Sequence, residues 1–77
     1  MPYARIRDLR EDAGLNQTEM GKAIGMSQTG YSKYETGEND VPTTILIKLA
    51  DYHKVSVDYI LGRTEIKEPY PTGKKRA

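Results

Sequence analysis

Three polar residues, Asn16, Ser27 and Ser56, each stand immediately ahead of a short apolar-periodic segment, and Gly14, Gly25, Gly37 and Gly62 each stand behind one. Asn and Ser side chains accept hydrogen bonds from the first free N–H groups of a helix, and glycine closes a helix at its far end. This punctuation restricts the chain to short helices. Five segments of this kind can be read, with little that looks like strand. The expected fold class is all-α, a compact five-helix bundle.

In the first segment Ile6, Leu9 and Ala13 recur at intervals of three and four, which predicts one apolar face over about Tyr3–Ala13. "NQTE" places Asn16 as an N-cap with Glu19 three residues on, the pattern of a capping box. The second helix is predicted over Gln17–Ile24, with Met20 and Ile24 inward. Ser27 caps the third, Gln28–Thr36, in which Tyr31 and Tyr34 share the inner face and Gln28, Thr29, Ser32 and Lys33 occupy others. Gly30 in the helix interior costs about 1 kcal/mol relative to Ala, so close packing is expected to compensate. Pro42 sits near the start of the fourth helix, where its missing N–H does no harm. Leu46, Leu49, Ala50 and His53 form that helix's inner stripe. Ser56 caps the fifth, with Val57, Ile60 and Leu61 facing in.

The 77 residues make one small domain at most. Without cysteine and with His53 as the single histidine, no metal centre, disulfide or cofactor is expected. No apolar run approaches the roughly 20 residues of a membrane span, and the charged start "MPYARIRDLRED" does not read as a secretory signal. A cytoplasmic protein, prokaryotic or phage-encoded, is the expectation, with no membrane association. Charge is divided unevenly. Residues 1–62 carry seven Lys/Arg against nine Asp/Glu, and residues 63–77 carry five against two. The domain is therefore expected over 1–62, followed by a mobile or partner-dependent basic tail over 63–77. Charge alone does not suggest DNA.

The spacing inside "QTEMGKAIGMSQTGYSKYET" does. Two helices of about two turns are joined by a tight turn that begins at Gly25, with residues 20, 24, 26, 31 and 34 inward. A turn this short leaves the second helix steeply crossed on the first, the helix-turn-helix unit. The first helix then rests on the phosphate backbone while the second projects into the major groove.

This stretch resembles the helix-turn-helix of the phage-repressor/Cro family, the XRE-type or lambda-repressor-like regulators. "RIRDLREDAGLNQTE" is similar to the family's first helix and the approach to the second, "GMSQTGYSKYETGEND" to the turn, recognition helix and loop, and "VPTTILIKLADYHKVSVDYILG" to the last two helices. The resemblance implies sequence-specific binding of a double-stranded DNA operator, a transcriptional regulator with repression the expected sign. It implies base reading by Gln28, Thr29, Lys33 and Ser32, and phosphate contacts from Gln17, Asn16 and Lys22. A glutamine amide matches adenine N6 and N7 together, worth about 1–3 kcal/mol of discrimination. Arg10 and Glu35 stand where the family has an internal ion pair. Family members act as two-fold dimers on palindromic operators, so a homodimer through Val57, Tyr59 and Ile60 is expected, with Ile45, Tyr52, Ile66 and Tyr70 nearby.

The departures carry expectations of their own. The family favours Ala at Gly21 and Ile or Val at Tyr31, so the missing methyls at Gly21 and Gly30 are expected to make room for the Tyr31 ring. Lys54 replaces the usual C-cap glycine, and His53 a usual leucine. Glu38 and Asp40 stand in the loop where some relatives have Lys or Arg, which weakens the expected hold on phosphate. That acidic loop also supports the alternative, a protein-interaction module of the same fold, such as an antitoxin, with a protein partner and weak DNA specificity. No catalytic set assembles from these residues: pairs such as Glu11 and Asp12 lie on charged helix faces, so an enzyme is not expected.

Overall fold

Short helices need their first N–H groups satisfied, and in this chain the residue in front supplies most of the acceptors. The structure, a computed structural model, describes residues 4–69. Five helices run through them: α1 (Ala4–Asp12), α2 (Gln17–Ala23), α3 (Gln28–Thr36), α4 (Thr43–His53) and α5 (Val57–Ile60). Ahead of α2, Asn16 Oδ1 accepts the Glu19 N–H at 2.8 Å while Glu19 Oε1 accepts the Asn16 N–H at 2.9 Å, closing the capping box. Ser27 Oγ accepts the Gly30 N–H at 3.1 Å and Ser56 Oγ the Tyr59 N–H at 3.0 Å. Pro42 precedes α4 without a side-chain cap bond. Among the described residues there is no strand, and the fold is an all-α five-helix bundle.

All five helices turn apolar side chains into one core. Ile6 and Leu9 come from α1, Met20 from α2, Tyr31 and Tyr34 from α3, Leu46, Leu49 and Ala50 from α4, and Ile60 from α5. Ile24, Val41 and Val55 close it from the connections. Tyr31 is the largest of the fully buried side chains, and with Tyr34 beside it the α3 tyrosines anchor the helix and leave its other faces outward. Ala13, expected on the inner face of α1, is exposed instead: the helix ends at Asp12 and the chain turns away at Gly14. α2 likewise stops at Ala23, with Ile24 as its C-cap.

The turn between α2 and α3 wraps Gly21. Met26 N–H donates to Gly21 O at 2.8 Å, and an added Cβ at Gly21 would lie 2.8 Å from Met26 O and 3.0 Å from Ser27 O. At Gly30 a Cβ would meet the end of the Met26 side chain at 3.0 Å. Room for the Tyr31 ring is therefore not what these glycines provide. The close approach at Gly21 is of backbone to backbone.

Beyond α5 the chain doubles back. Ser56 N–H donates to Lys67 O at 2.9 Å, and Arg5 Nη1 donates to Tyr59 O at 2.8 Å and Thr64 O at 2.7 Å. The Arg5 guanidinium also lies 4.1 Å from the centre of the Tyr59 ring and pairs with Glu65 at 3.1 Å. Residues 64–67 thus lie across the junction of α1 and α5. Tyr70, Lys74, Lys75 and Arg76 fall outside the described residues.

Candidate nucleic-acid interface

Gln17 is the first residue of α2 and Gln28 the first of α3, so the crossing of these helices brings two helix starts together. Their side chains touch: Gln28 Nε2 donates to Gln17 Oε1 at 2.8 Å. Gln17 Nε2 in turn donates to Glu35 Oε1 at 3.0 Å. Glu35 is held from the far side by Arg10, whose Nε donates to Oε2 at 2.6 Å and Nη2 to Oε1 at 3.1 Å. Arg10 Nη1 closes the set on Leu15 O at 2.9 Å. A chain of polar contacts therefore runs from Arg10 on α1 through Glu35 and Gln17 to Gln28 at the exposed start of α3.

The electrostatics follow from burial. The Glu35 side chain is 4 % exposed, which by itself would raise its carboxyl; hydrogen bonding from Arg10, with Tyr31 and Gln17 beside it, outweighs this and holds Glu35 below the ordinary carboxylate value. Arg10 is correspondingly raised, first by its bond to Glu35. The Tyr31 hydroxyl is buried close to Glu35, and burial, then Glu35, pushes its ionisation far up.

Thr29 is exposed beside Gln28, and Ser32 and Lys33 are half-buried one turn on. Ser32 Oγ reaches Thr29 O at 3.4 Å. Lys33 makes no ion pair among the described residues, while its carbonyl accepts Asn39 N–H at 3.1 Å and so ties the following loop to α3. Asn16 uses its side-chain oxygen in the capping box. Lys22 is not part of this group. It lies at the other end of α2, in a shallow groove with Ala23, Ile24, Gly25, Lys48 and Asp51. That position does not support the phosphate role expected of it. Arg7, whose Nε donates to Glu11 Oε2 at 3.2 Å, lines an open cleft with Arg10, Gln17, Glu35 and Thr36. The signal for Arg7 was present in its three-residue spacing from Arg10, which sets both on one helix face.

The helix-turn-helix family profile matches residues 6–60. The chain belongs to that family. The proteins it is similar to include phage and prophage transcriptional regulators. The chain is 32 % identical over 68 residues to the HTH-type transcriptional regulator ImmR of Bacillus subtilis (strain 168), covering 88 % of this chain and 54 % of ImmR. It is 38 % identical over 74 residues to the ImmF control region 10 kDa protein of Bacillus phage phi105, covering 96 % of this chain and 81 % of that protein. A crystal structure of the P22 c2 repressor in complex with a synthetic operator matches with a TM-score of 0.74 and 28 % identity, over 83 % of this chain and 97 % of the repressor chain. The chain thus spans about half the length of ImmR and most of the phi105 protein and of the crystallised P22 c2 chain.

On this helix-turn-helix the expected dimer face divides. Ile60 is 1 % exposed and belongs to the core, so it cannot meet a second subunit; the helical periodicity that turns it inward had already placed it there. Val57 and Tyr59 are half-buried, and among the described residues Ile47, Tyr52 and Ile66 are the exposed large apolar side chains. Sequence reading missed the Arg5 clamp, whose partners lie 54 to 60 residues away and leave no local trace.

Proposed function

We propose that this chain is a sequence-specific DNA-binding transcriptional regulator, most simply a repressor, acting as a homodimer on a palindromic operator in the cytoplasm of a prokaryotic or phage-infected cell. The observation that carries the reading is the pairing of the Gln17 and Gln28 amides at the joined starts of α2 and α3. The start of α2, with its free N–H groups and dipole, suits a phosphate, with Asn16, Gln17 and the Arg7–Arg10 cleft around it. From the adjoining start of α3, Gln28 reaches a base edge in the major groove, and Thr29, Ser32 and Lys33 follow along the same groove. The P22 c2 repressor, which is similar in fold and sequence, was crystallised on an operator, which favours this reading.

One such domain spans few base pairs. Two of them on one face of the duplex place their recognition helices about 34 Å apart and join their contacts under one docking cost. Val57 and Tyr59, with Tyr52 and Ile66 near, are the residues we assign to that contact. Selection of bound duplexes from a random pool, with and without Gln28→Ala, tests the proposal. A palindrome with half-sites one helical turn apart, blurred at one base pair per half-site by the substitution, is the expected result. Weak binding without sequence preference, erased by salt in both proteins, would favour a protein-binding role, for which the exposed acidic pair Glu38 and Asp40 is the supporting feature.

A further inference from the structure

Two arginines line the cleft beside the start of α2, and their guanidiniums are committed differently. Arg10 is turned inward: Nε and Nη2 donate to Glu35, Nη1 donates to Leu15 O, and the side chain is 12 % exposed. Its donating nitrogens are all engaged within the fold. Arg7 is turned outward, with its side chain 55 % exposed and its Nε donating to Glu11 Oε2 at 3.2 Å. The same Glu11 oxygen lies 4.0 Å from Arg10 Nη2. One carboxylate oxygen thus stands against both arginines of the cleft that Gln17 also lines.

A carboxylate and a phosphate offer a guanidinium the same kind of charged acceptor, so the two compete for Arg7 Nε. An ion pair one helical turn apart and half open to water is weak. A phosphate of a duplex, whose neutralisation releases condensed counterions, displaces it. The displaced carboxylate is then left beside the phosphate without its partner, and that repulsion lowers affinity.

We propose that Glu11 is an intrachain stand-in for phosphate. It occupies Arg7 in the free protein, gives it up to a backbone phosphate on binding, and holds the DNA affinity of the domain below what its arginines allow. The proposal rests on the DNA-binding reading above and adds to it a residue that sets affinity without reading sequence, because phosphate contacts position a protein and carry no base information.

The test uses the whole chain, with a duplex recovered by the selection described above and a scrambled duplex of equal length. Affinities are measured across a salt series for the wild type, Glu11→Gln, Arg7→Gln, the double variant and Asp12→Asn, with melting temperatures alongside. Asp12 serves as the control. It is the next residue of α1, is exposed and makes no ion pair among the described residues, so its neutralisation reports the general loss of negative charge. Glu11→Gln is expected to tighten binding to both duplexes about three-fold or more beyond Asp12→Asn, and to steepen the fall of log K with log salt by up to about one. Base preferences stay, and the melting temperature moves by only a few degrees, as the loss of an exposed pair requires. Arg7→Gln weakens binding to both duplexes, and in its background the gain from Glu11→Gln falls to that of Asp12→Asn.

A gain no larger than that of Asp12→Asn, or one that persists without Arg7, overturns the proposal and leaves the DNA-reading function standing. So does weaker binding by Glu11→Gln, which would make Glu11 a support for Arg7 and not its competitor. Failure of both the wild type and Glu11→Gln to bind any duplex overturns the DNA-reading function itself, and the proposal with it.

Discussion

Arg10 and Glu35 meet across the α1–α3 seam with Nε and Oε2 2.6 Å apart, and their side chains are 12 % and 4 % exposed. A pair this buried is strongly asymmetric in its response to mutation: removing one partner strands the other. Arg10→Met is predicted to destabilise the domain by about 3 kcal/mol, measured by urea unfolding at pH 7. Its pH dependence is the sharper check. In the native protein Glu35 lies below its ordinary value of 4.5, so its contribution is complete above 4.5 and lost as pH falls through the lower folded value. Without Arg10, burial dominates and the carboxyl rises, so the slope of stability against pH near 4.5 should reverse.

His53 predicts a second acid-side loss. Its Nε2 is buried without a partner and burial lowers the ring's affinity for protons below the ordinary 6.5, while Tyr52 packs edge-on against it. The unfolded chain takes up a proton that the folded chain refuses, so stability is complete above 6.5 and declines as pH falls through it. His53→Leu should raise stability by about 1 kcal/mol at pH 7 and flatten the curve between pH 7 and 5.5. An undiminished slope in the variant would assign the loss to another group.

Gly21 and Gly30 make opposite predictions from the same substitution. Ala at Gly21 drives Cβ into the Met26 and Ser27 carbonyls, which cannot yield without opening the turn, and a loss of about 1–3 kcal/mol is expected. Gly21→Val should not fold. Ala at Gly30 asks that the flexible end of Met26, at 3.0 Å, and the Ser27 hydroxyl, at 3.3 Å, each give by a few tenths of an ångström, and the helix gains up to about 1 kcal/mol of intrinsic preference. Thermal melts of the two alanine variants should therefore shift in opposite directions.

Lys54 ends α4 at φ 59° and ψ 47°, the left-handed region that a side chain resists. Lys54→Gly is predicted to stabilise by about 0.5–1 kcal/mol, with no change in DNA affinity.

The Arg5 clamp gives a fifth. Arg5→Met removes the donors to Tyr59 O and Thr64 O together with the stack on Tyr59. Cleavage by trypsin after Arg63 should accelerate several-fold while the melting temperature falls by only a few degrees.

How far the sequence revealed all this depended on distance along the chain. Asn16, Ser27 and Ser56 were readable as caps because the groups they satisfy lie within three residues, and Gln28–Thr36 was read with the bounds it has. Gln28, Thr29 and Lys33 were candidates because a helix face is a local pattern and the surrounding stretch resembles a known one. The amide chain through Gln17 to Glu35 was not readable, since it exists only once α1, α2 and α3 have packed. Gly21 was noticed for the right reason, a missing methyl, but assigned to the wrong neighbour, because a carbonyl in a turn leaves no side-chain signal. Lys22 stands apart for another reason: a helix start and its last turn are close in sequence but, in α2, line different grooves.

The backbone contact at Gly21 also bears on how such a protein changes over evolutionary time. The angle at which α3 is presented is set where Met26 and Ser27 carbonyls press on α2, a place with no side chain to vary. The outward residues 28, 29 and 33 take no part in that contact. A descendant can thus acquire a new target by exchanging a few outward side chains while inheriting the mounting unchanged. The bearing is fixed and the bit is interchangeable.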